Sequence, residues 1–338
     1  MSFRVRPARP DDYAAIYKMA KLTGGGFTNL PPDKATLIAK LERSAKSFER
    51  KKDEQRGDLY MFVLEDPKRK LIRGTCQVFG KVGVNQPFYS YHLSTLTQSS
   101  AELDKTFRNQ MLTLTTDLEG SSEVGGLFLH PECRAGGLGA LISRSRYLFM
   151  KLHRGRFGNQ TLAELRGVMD EAGNAPFWDA LAGKFFGMSF PDADEFNAVH
   201  GTKFIADLMP RTPIYVDLLP DSAKAVMGQP HPSGRAALKM LEAEGFYFDR
   251  YIDIFDGEPT VTADTDDIRT IRESVSGKVA KIADGGAQKM LVAAGRLGDF
   301  RACCAHVSRD TDGSLTIDRE AAELLEVGEG DEVLAVAR

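Results

Sequence analysis

Cysteine is scarce in this chain: Cys76, Cys133, Cys303 and Cys304 are the four in 338 residues. Their spacing supports neither a disulfide framework nor a Cys/His metal site. Reduced thiols and a cytoplasmic location are the expectation. No apolar run reaches the length that spans a bilayer, so no membrane association is expected. The start, Met1-Ser-Phe-Arg-Val-Arg-Pro7, lacks the apolar core of a secretion signal. Neither charge sign is in excess: 44 Lys and Arg face 47 Asp and Glu, which argues against nucleic acid as a partner. Also missing are an early G-x-G-x-x-G with an acid about 20 residues on, and G-x-x-x-x-G-K-[ST], the usual nucleotide loops. No group of His, Cys, Asp or Glu has the spacing of a metal site. What remains is ordinary: 42% hydrophobic and 27% charged residues describe a globular protein long enough for two domains.

The most informative stretch is Glu123 to Arg146. Val124 to Leu129 is an apolar run of strand length. Pro131 ends it, because its ring removes a ladder donor. Arg134-Ala-Gly-Gly-Leu-Gly139 follows. From Leu138 the apolar positions, with Leu141, Ile142, Leu148 and Phe149, fall at helical spacing. Glycines let backbone N–H groups approach a ligand, and the helix start adds unpaired donors and a positive dipole end suited to phosphate.

The rest of the chain reads as short alternating elements. Phe3 to Arg6 is a strand, and a helix follows Asp11-Asp12. Gly24-Gly-Gly26 with Pro31-Pro32 is a loop, either a mobile lid or a plain connection. Asp33 opens a second helix, with Leu37, Ile38, Leu41 and Phe48 on its apolar side. Leu59 to Glu65 and Leu71 to Lys81 are antiparallel neighbours, and Pro87 to Leu93 is a further strand. Leu162 to Met169 is expected as a strand, and Asn174 to Phe190 as helix, Gly187 cap and strand. Phe204 to Leu208 and Ile214 to Leu218 look strand-like. Ser233 to Phe246 then repeats the helix-glycine pattern before a strand from Tyr247. The stretch after Asp264 is polar and broken, with a small β-domain at its end and no catalytic constellation.

Arg134, Gly137 and Gly139 form R-x-x-G-x-G directly after an apolar strand, which resembles the pyrophosphate motif of the GNAT acyltransferase superfamily. Further stretches are more specific: Thr23-Gly-Gly-Gly, Gly120-Ser-Ser-Glu123, Glu164-Leu-Arg-Gly167, Pro176-Phe-Trp178, Ala206-Asp-Leu-Met-Pro210, Gly228-Gln-Pro-His-Pro232 and Tyr251-Ile-Asp-Ile-Phe-Asp-Gly257. Together they resemble arginine N-succinyltransferases from about residue 4 to 260. The resemblance implies an α+β, GNAT-like acyltransferase fold with a mixed, mostly antiparallel sheet and a partial GNAT-like repeat in a smaller C-terminal region. It implies residues 1–200 as the acyl-CoA-binding domain, 201–262 as a second α+β unit completing the active site, and 263–338 as a small β-rich region. The implied activity is transfer of succinyl from succinyl-CoA, a co-substrate, to the α-amino group of L-arginine, with no permanently bound cofactor. Homo-oligomers, or hetero-oligomers with a related subunit, are also implied. A non-catalytic partner subunit, or a GNAT enzyme with another donor or amine, is the alternative.

By this resemblance His231 is the proton-transfer residue, although Pro230 before it departs from the family pattern. Leu127 falls at the succinyl-CoA contact, and Arg134, Gly137 and Gly139 at the pyrophosphate. The substrates bring two carboxylates and a guanidinium. Arg166 suits a carboxylate, and Glu123, Glu164, Asp170 or Glu171 suit the guanidinium. Tyr89, Tyr91 and Trp178 are either cleft walls or core, and His130 is a weaker base candidate.

Overall fold

The computed structural model describes residues 2–23, 29–134, 136–170, 173–200 and 203–338, without the side chains of 194, 195, 198–200, 203, 205 and 206. The Gly24–Gly26 loop and Glu171 therefore lie outside the described residues. In chain order the strands are β1 (Arg4–Pro7), β2 (Leu59–Asp66), β3 (Leu71–Phe79), β4 (Ser90–Ser100), β5 (Lys105–Thr115), β6 (Ser122–Leu129), β7 (Gln160–Glu164), β8 (Ile214–Tyr215), β9 (Tyr247–Ile252), β10 (Pro259–Asp264), β11 (Val275–Ile282), β12 (Gln288–Ala294), β13 (Arg301–Arg309), β14 (Leu315–Ile317) and β15 (Glu332–Ala337). The helices are α1 (Tyr13–Lys21), α2 (Lys34–Glu49), α3 (Leu138–Leu152), α4 (Pro176–Ala180), α5 (Ala182–Phe186), α6 (Phe190–His200), α7 (Lys203–Leu208), α8 (Asp221–Val226), α9 (Arg235–Ala243), α10 (Arg269–Glu273) and α11 (Arg319–Leu325). Among the described residues no helix is long and apolar enough to cross a membrane.

The chain is woven into two compact units rather than laid out in successive segments. Met1–Lys81, Ser122–Asn159 and Asp264–Arg338 form the first; Val82–Ser121 and Gln160–Ala263 form the second. In the first unit β1-β2-β3-β6 is an antiparallel run. The stretch that reads as polar and broken in sequence supplies five strands that close on themselves, in the order β12-β15-β11-β14-β13 and back to β12. Val279, Val292, Ala305, Val307 and Ala335 fill this ring, and Leu324 and Leu325 of α11 pack with them. β13 also pairs with β1, Arg4 opposite Cys303 and Val5 opposite Ala302, so the ring continues the sheet.

Local sequence accounts for the helices of this unit. Asp33 caps α2 by accepting the Thr36 N–H at 2.7 Å, and Leu37, Leu41 and Phe48 point into the core. Ile38 is exposed. Asp12 is the N-cap residue of α1, as expected, but its side chain accepts no N–H of that helix. Its carboxylate takes the Arg6 guanidinium bidentately, at 2.8 and 2.9 Å. The end of α3 rests on a buried polar cluster: Arg156 donates to Asp53 at 2.5 Å and to the Tyr60 hydroxyl at 2.9 Å. His153 has no exposed surface and accepts the Leu297 N–H on Nε2 at 3.2 Å. Burial first, and the Arg296 charge second, push its pKa from 6.5 down to about 4. The unfolded chain therefore binds a proton that the fold refuses, and stability falls as pH drops from 6.5 towards 4. A loss of about 2–3 kcal/mol is expected over that window. His153→Gln flattens the dependence; urea unfolding at a series of pH values checks it, and an unchanged slope would remove His153 as the cause.

In the second unit the sheet order is β7-β10-β9-β4-β5-β8. Its core gathers Tyr91, Leu93, Leu112, Phe177, Trp178 and Ile252. Trp178 stacks between Phe186 and Phe255, with centroids at 5.7 and 5.6 Å, and donates Nε1–H to Met188 O. It is core rather than a cleft wall. Gly187 adopts φ +64 and caps α5 as its sequence requires, but α6 follows where a strand was expected. Helix α9, Gly245 and strand β9 form as read, so the two stretches share their helix-glycine half. Phe204 to Leu208 lies in helix α7, with Phe204 edge-on to Phe186 and Phe196. β7 stops at Glu164, short of the expected Met169.

Candidate active site

Two groups of functional side chains stand out, one in each unit. In the first unit, β6 carries an irregularity at its middle. Thr75 faces Phe128 and Gln77 faces Gly125, so Gly126 and Leu127 together oppose Cys76. This is a β-bulge, which unpairs ladder groups and bends the strand. Gly126 makes it possible: it holds φ +57, and a Cβ there would lie 2.7 Å from Gln77 Cγ. Thr75 Oγ1 donates to Gly126 O at 3.1 Å. Leu127 thus sits, half-buried, at the break in the β3–β6 ladder.

Past the bulge, Pro131–Cys133 form one 3-10 turn. Gly136 and Gly137 then adopt φ +74 and +82, and Gly137 is the N-cap of α3. Among the described residues no side chain caps this helix start. Its first-turn N–H groups, including that of Gly139, are the donors an anion would use. Arg134 is exposed and donates Nε–H to Leu129 O at 3.3 Å. The three motif residues are therefore together, as their sequence spacing suggests.

Glu123, at the start of β6, is buried and accepts from Asn29 Nδ2 at 2.9 Å. Lys40 donates to Asn29 O at 2.8 Å. Burial raises the Glu123 pKa and lowers that of Lys40 to about 8.

In the second unit the chain at Arg166-Gly167 runs antiparallel to Pro230-His231, through a bridge between Gly167 and Pro230. Pro230 has no N–H to give. The His231 N–H supplies the bond instead, to Arg166 O at 2.7 Å. Sequence had named Arg166 and His231 for separate reasons; the fold sets them side by side. Gly167 is required here, since a Cβ would lie 2.4 Å from the Asp256 carboxyl carbon. Asp256 accepts the Gly167 N–H at 3.0 Å, and burial, with the nearby Asp253 charge, pushes its carboxyl up to about 7.

His231 is followed by a 3-10 turn at Pro232–Gly234, and its ring folds back on that turn. Nδ1 lies 2.7 Å from Ser233 Oγ and accepts the Ser233 N–H at 3.2 Å. The tautomer sets the chemistry: with Nδ1 accepting the Ser233 N–H the neutral ring carries its proton on Nε2, and in the other tautomer Nδ1 donates to Ser233 Oγ and leaves the Nε2 lone pair as a base. Partial burial and then the Arg166 charge lower the ring's pKa. Ser233 was not singled out in sequence; its place two residues after a candidate base was the available signal. Arg166 Nε is buried and has no hydrogen-bond partner among the described residues, while Nη2 reaches Met169 Sδ at 3.9 Å. A partly unsatisfied guanidinium suits a carboxylate.

The acids named in sequence separate. Glu164 gathers with Asp253 and Glu258, their carboxylate oxygens within 4.8 Å of one another. Asp170 accepts both N–H groups of Asn174, at 2.8 and 3.0 Å, and so holds a local turn. His130 accepts the Glu132 N–H at 3.4 Å.

A bulged strand, a glycine loop and a helix start follow one another as the sequence spacing suggests, and this chain is an acyltransferase of mixed α+β fold. Residues 3–270 match the family described as arginine N-succinyltransferase beta subunit, and residues 275–337 match its C-terminal domain. The arginine N-succinyltransferase of Escherichia coli strain 55989 is 41% identical over 336 residues, 98% of this chain and 96% of that protein. That of Salmonella paratyphi B is likewise 41% identical over 336 residues. Among solved structures, the arginine/ornithine succinyltransferase subunit AI of Pseudomonas aeruginosa superposes with TM-score 0.90 at 34% identity, covering 99% of this chain and 98% of its own. The chain belongs to the arginine N-succinyltransferase family.

Proposed function

We propose that this chain transfers the succinyl group of succinyl-CoA to the α-amino group of L-arginine. The amine nitrogen attacks the thioester carbonyl, the C–S bond breaks, the amine proton leaves to a base, and the departing thiolate of coenzyme A takes up a proton. The α-ammonium must first lose a proton at neutral pH, so a base with a pKa near the working range helps. The observation that carries this reading is the Arg166–His231 pairing, which joins a proton-transfer group to a carboxylate-binding group. His231 accepts the amine proton, oriented by Ser233. Arg166 takes a substrate carboxylate. Glu164, with Asp253 and Glu258 beside it, offers negative charge to the guanidinium. Glu123, already bonded to Asn29, supports the start of β6 rather than the substrate.

The donor is assigned to the Leu127 bulge and the Arg134–Gly139 loop, with pantetheine along the bulge and the pyrophosphate on the helix start. Arg134→Glu is expected to raise KM for succinyl-CoA by about tenfold or more and to leave KM for arginine unchanged. Steady-state kinetics with each substrate varied in turn checks this, and an unchanged donor KM would remove Arg134.

The Pseudomonas protein is described as acting on ornithine as well, and as a subunit. For this chain we carry over arginine as the acceptor, an assembly of identical or related subunits, and a cytoplasmic setting. The test is the purified chain alone against succinyl-CoA and acetyl-CoA, each with arginine and ornithine, with product masses read directly. Succinylarginine as the main product supports the reading. No thiol release with any pair would mark the chain as a non-catalytic partner.

A further inference from the structure

Arg338 lies on the donor loop, although it is 200 residues from it in sequence. Its Nη2 donates to Gly136 O at 2.6 Å. A Cβ built on Gly137 would fall 1.8 Å from the same nitrogen. The guanidinium therefore covers the face of Gly137 that any side chain would occupy, at the residue that begins α3. Gly137 is glycine for its positive φ, and the absent Cβ leaves room for the guanidinium.

The placement is built rather than incidental. β15 is held on both flanks, by β12 with Met290 opposite Ala337, and by β11 with Val275 opposite Ala335. The buried Arg144 of α3 donates Nη1–H to Ala337 O at 2.9 Å and Nε–H to Thr270 Oγ1 at 2.7 Å. The helix that begins at the glycine loop thus grips the backbone immediately before Arg338. Lys289 lies one step along β12 from the Met290–Ala337 pair. The charges of Arg338, Lys289 and Arg144 all bear on the Cys304 thiol, so they share one neighbourhood. Arg338 spends one of its N–H groups on Gly136 O and is exposed.

We propose that Arg338 is a ligand for the phosphate groups of the coenzyme A donor. This rests on the donor-site reading above. Coenzyme A brings a pyrophosphate and a 3′-phosphate, more charge than the loop amides, one helix end and Arg134 match by themselves. A guanidinium held on the loop supplies forked donors and positive charge at the same spot. On this account the C-terminal ring of strands has a role in substrate binding: it sets Arg338 over a loop made 200 residues earlier.

The test is calorimetric titration of the full chain with coenzyme A, for the natural protein, Arg338→Gln and Arg338→Lys. Arg338→Gln is expected to weaken coenzyme A by about 10- to 100-fold, with Arg338→Lys recovering part of the loss and both keeping the natural melting temperature. KM for arginine stays unchanged. Repeating the titrations with 3′-dephospho-coenzyme A identifies the group: a penalty that persists assigns Arg338 to the pyrophosphate, and one that vanishes assigns it to the 3′-phosphate. Equal binding by Arg338→Gln and the natural protein would overturn the inference while leaving the donor site intact. Tighter binding by Arg338→Gln would make the side chain a plug over the loop and overturn it as well. The same penalty with succinyl-pantetheine, which has no phosphate, would also overturn it. Failure of the natural protein to bind coenzyme A would bring down the donor-site reading itself.

Discussion

His231→Ala is expected to leave the fold intact and lower kcat by about 10²–10⁴-fold, the usual worth of a positioned acid-base group. Among the described residues the ring bonds to nearby Ser233 alone, and the backbone bond from His231 N to Arg166 O survives the substitution. The melting temperature should therefore hold while turnover falls. The pH profile offers a second check. Partial burial and the Arg166 charge hold the imidazole below its ordinary pKa, so the acid limb of kcat/KM lies below 6.5 in the natural protein. It is absent from the residual activity of His231→Ala. Turnover within twofold of the natural protein would take His231 out of the reaction.

Arg166→Gln is expected to lower kcat/KM by about 100-fold, because a bidentate carboxylate partner is lost and the substrate's charge is left unpaired. Two readouts separate this from general damage. Removing a positive charge beside His231 relieves the penalty on its imidazolium, so the acid limb moves to higher pH. The discrimination that disappears identifies the carboxylate. A lost preference for succinyl-CoA over acetyl-CoA means Arg166 meets the succinyl group; a raised arginine KM with that preference kept means it meets the amino acid. Unchanged kinetics with both substrates would remove Arg166 from binding.

The glycine loop was legible because its signals are local. Pro131 stops a strand, Gly136 and Gly137 take conformations open to glycine, and Leu141 and Ile142 start a helical stripe. The β4–β5 hairpin was not read beyond Leu93, since Ser94 to Gln110 is rich in Ser, Thr and Gln, and most of these side chains face solvent. Phe204 to Leu208 was misread because a run that short carries no usable period, and ring packing against Phe186 and Phe196 decides for helix. The site divides the same way. Arg134, Gly137 and Gly139 are neighbours in sequence, whereas Arg166 meets His231 through one bridge at Gly167, and nothing local announces it. Asp256 beneath Gly167 and Arg338 on Gly137 are likewise long-range, and nothing local in the sequence announces either contact.

The pairing of β1 with β13 joins residues 4 and 5 to residues 303 and 302. During synthesis, β1 has one edge without its neighbour until nearly 300 further residues have been made. The ring of strands that completes it follows β1 to β10 in chain order. Folding of the first unit is therefore slow and governed by contacts distant in sequence, and the waiting edge of β1 is the place where a half-made chain is most open to pairing with the wrong partner.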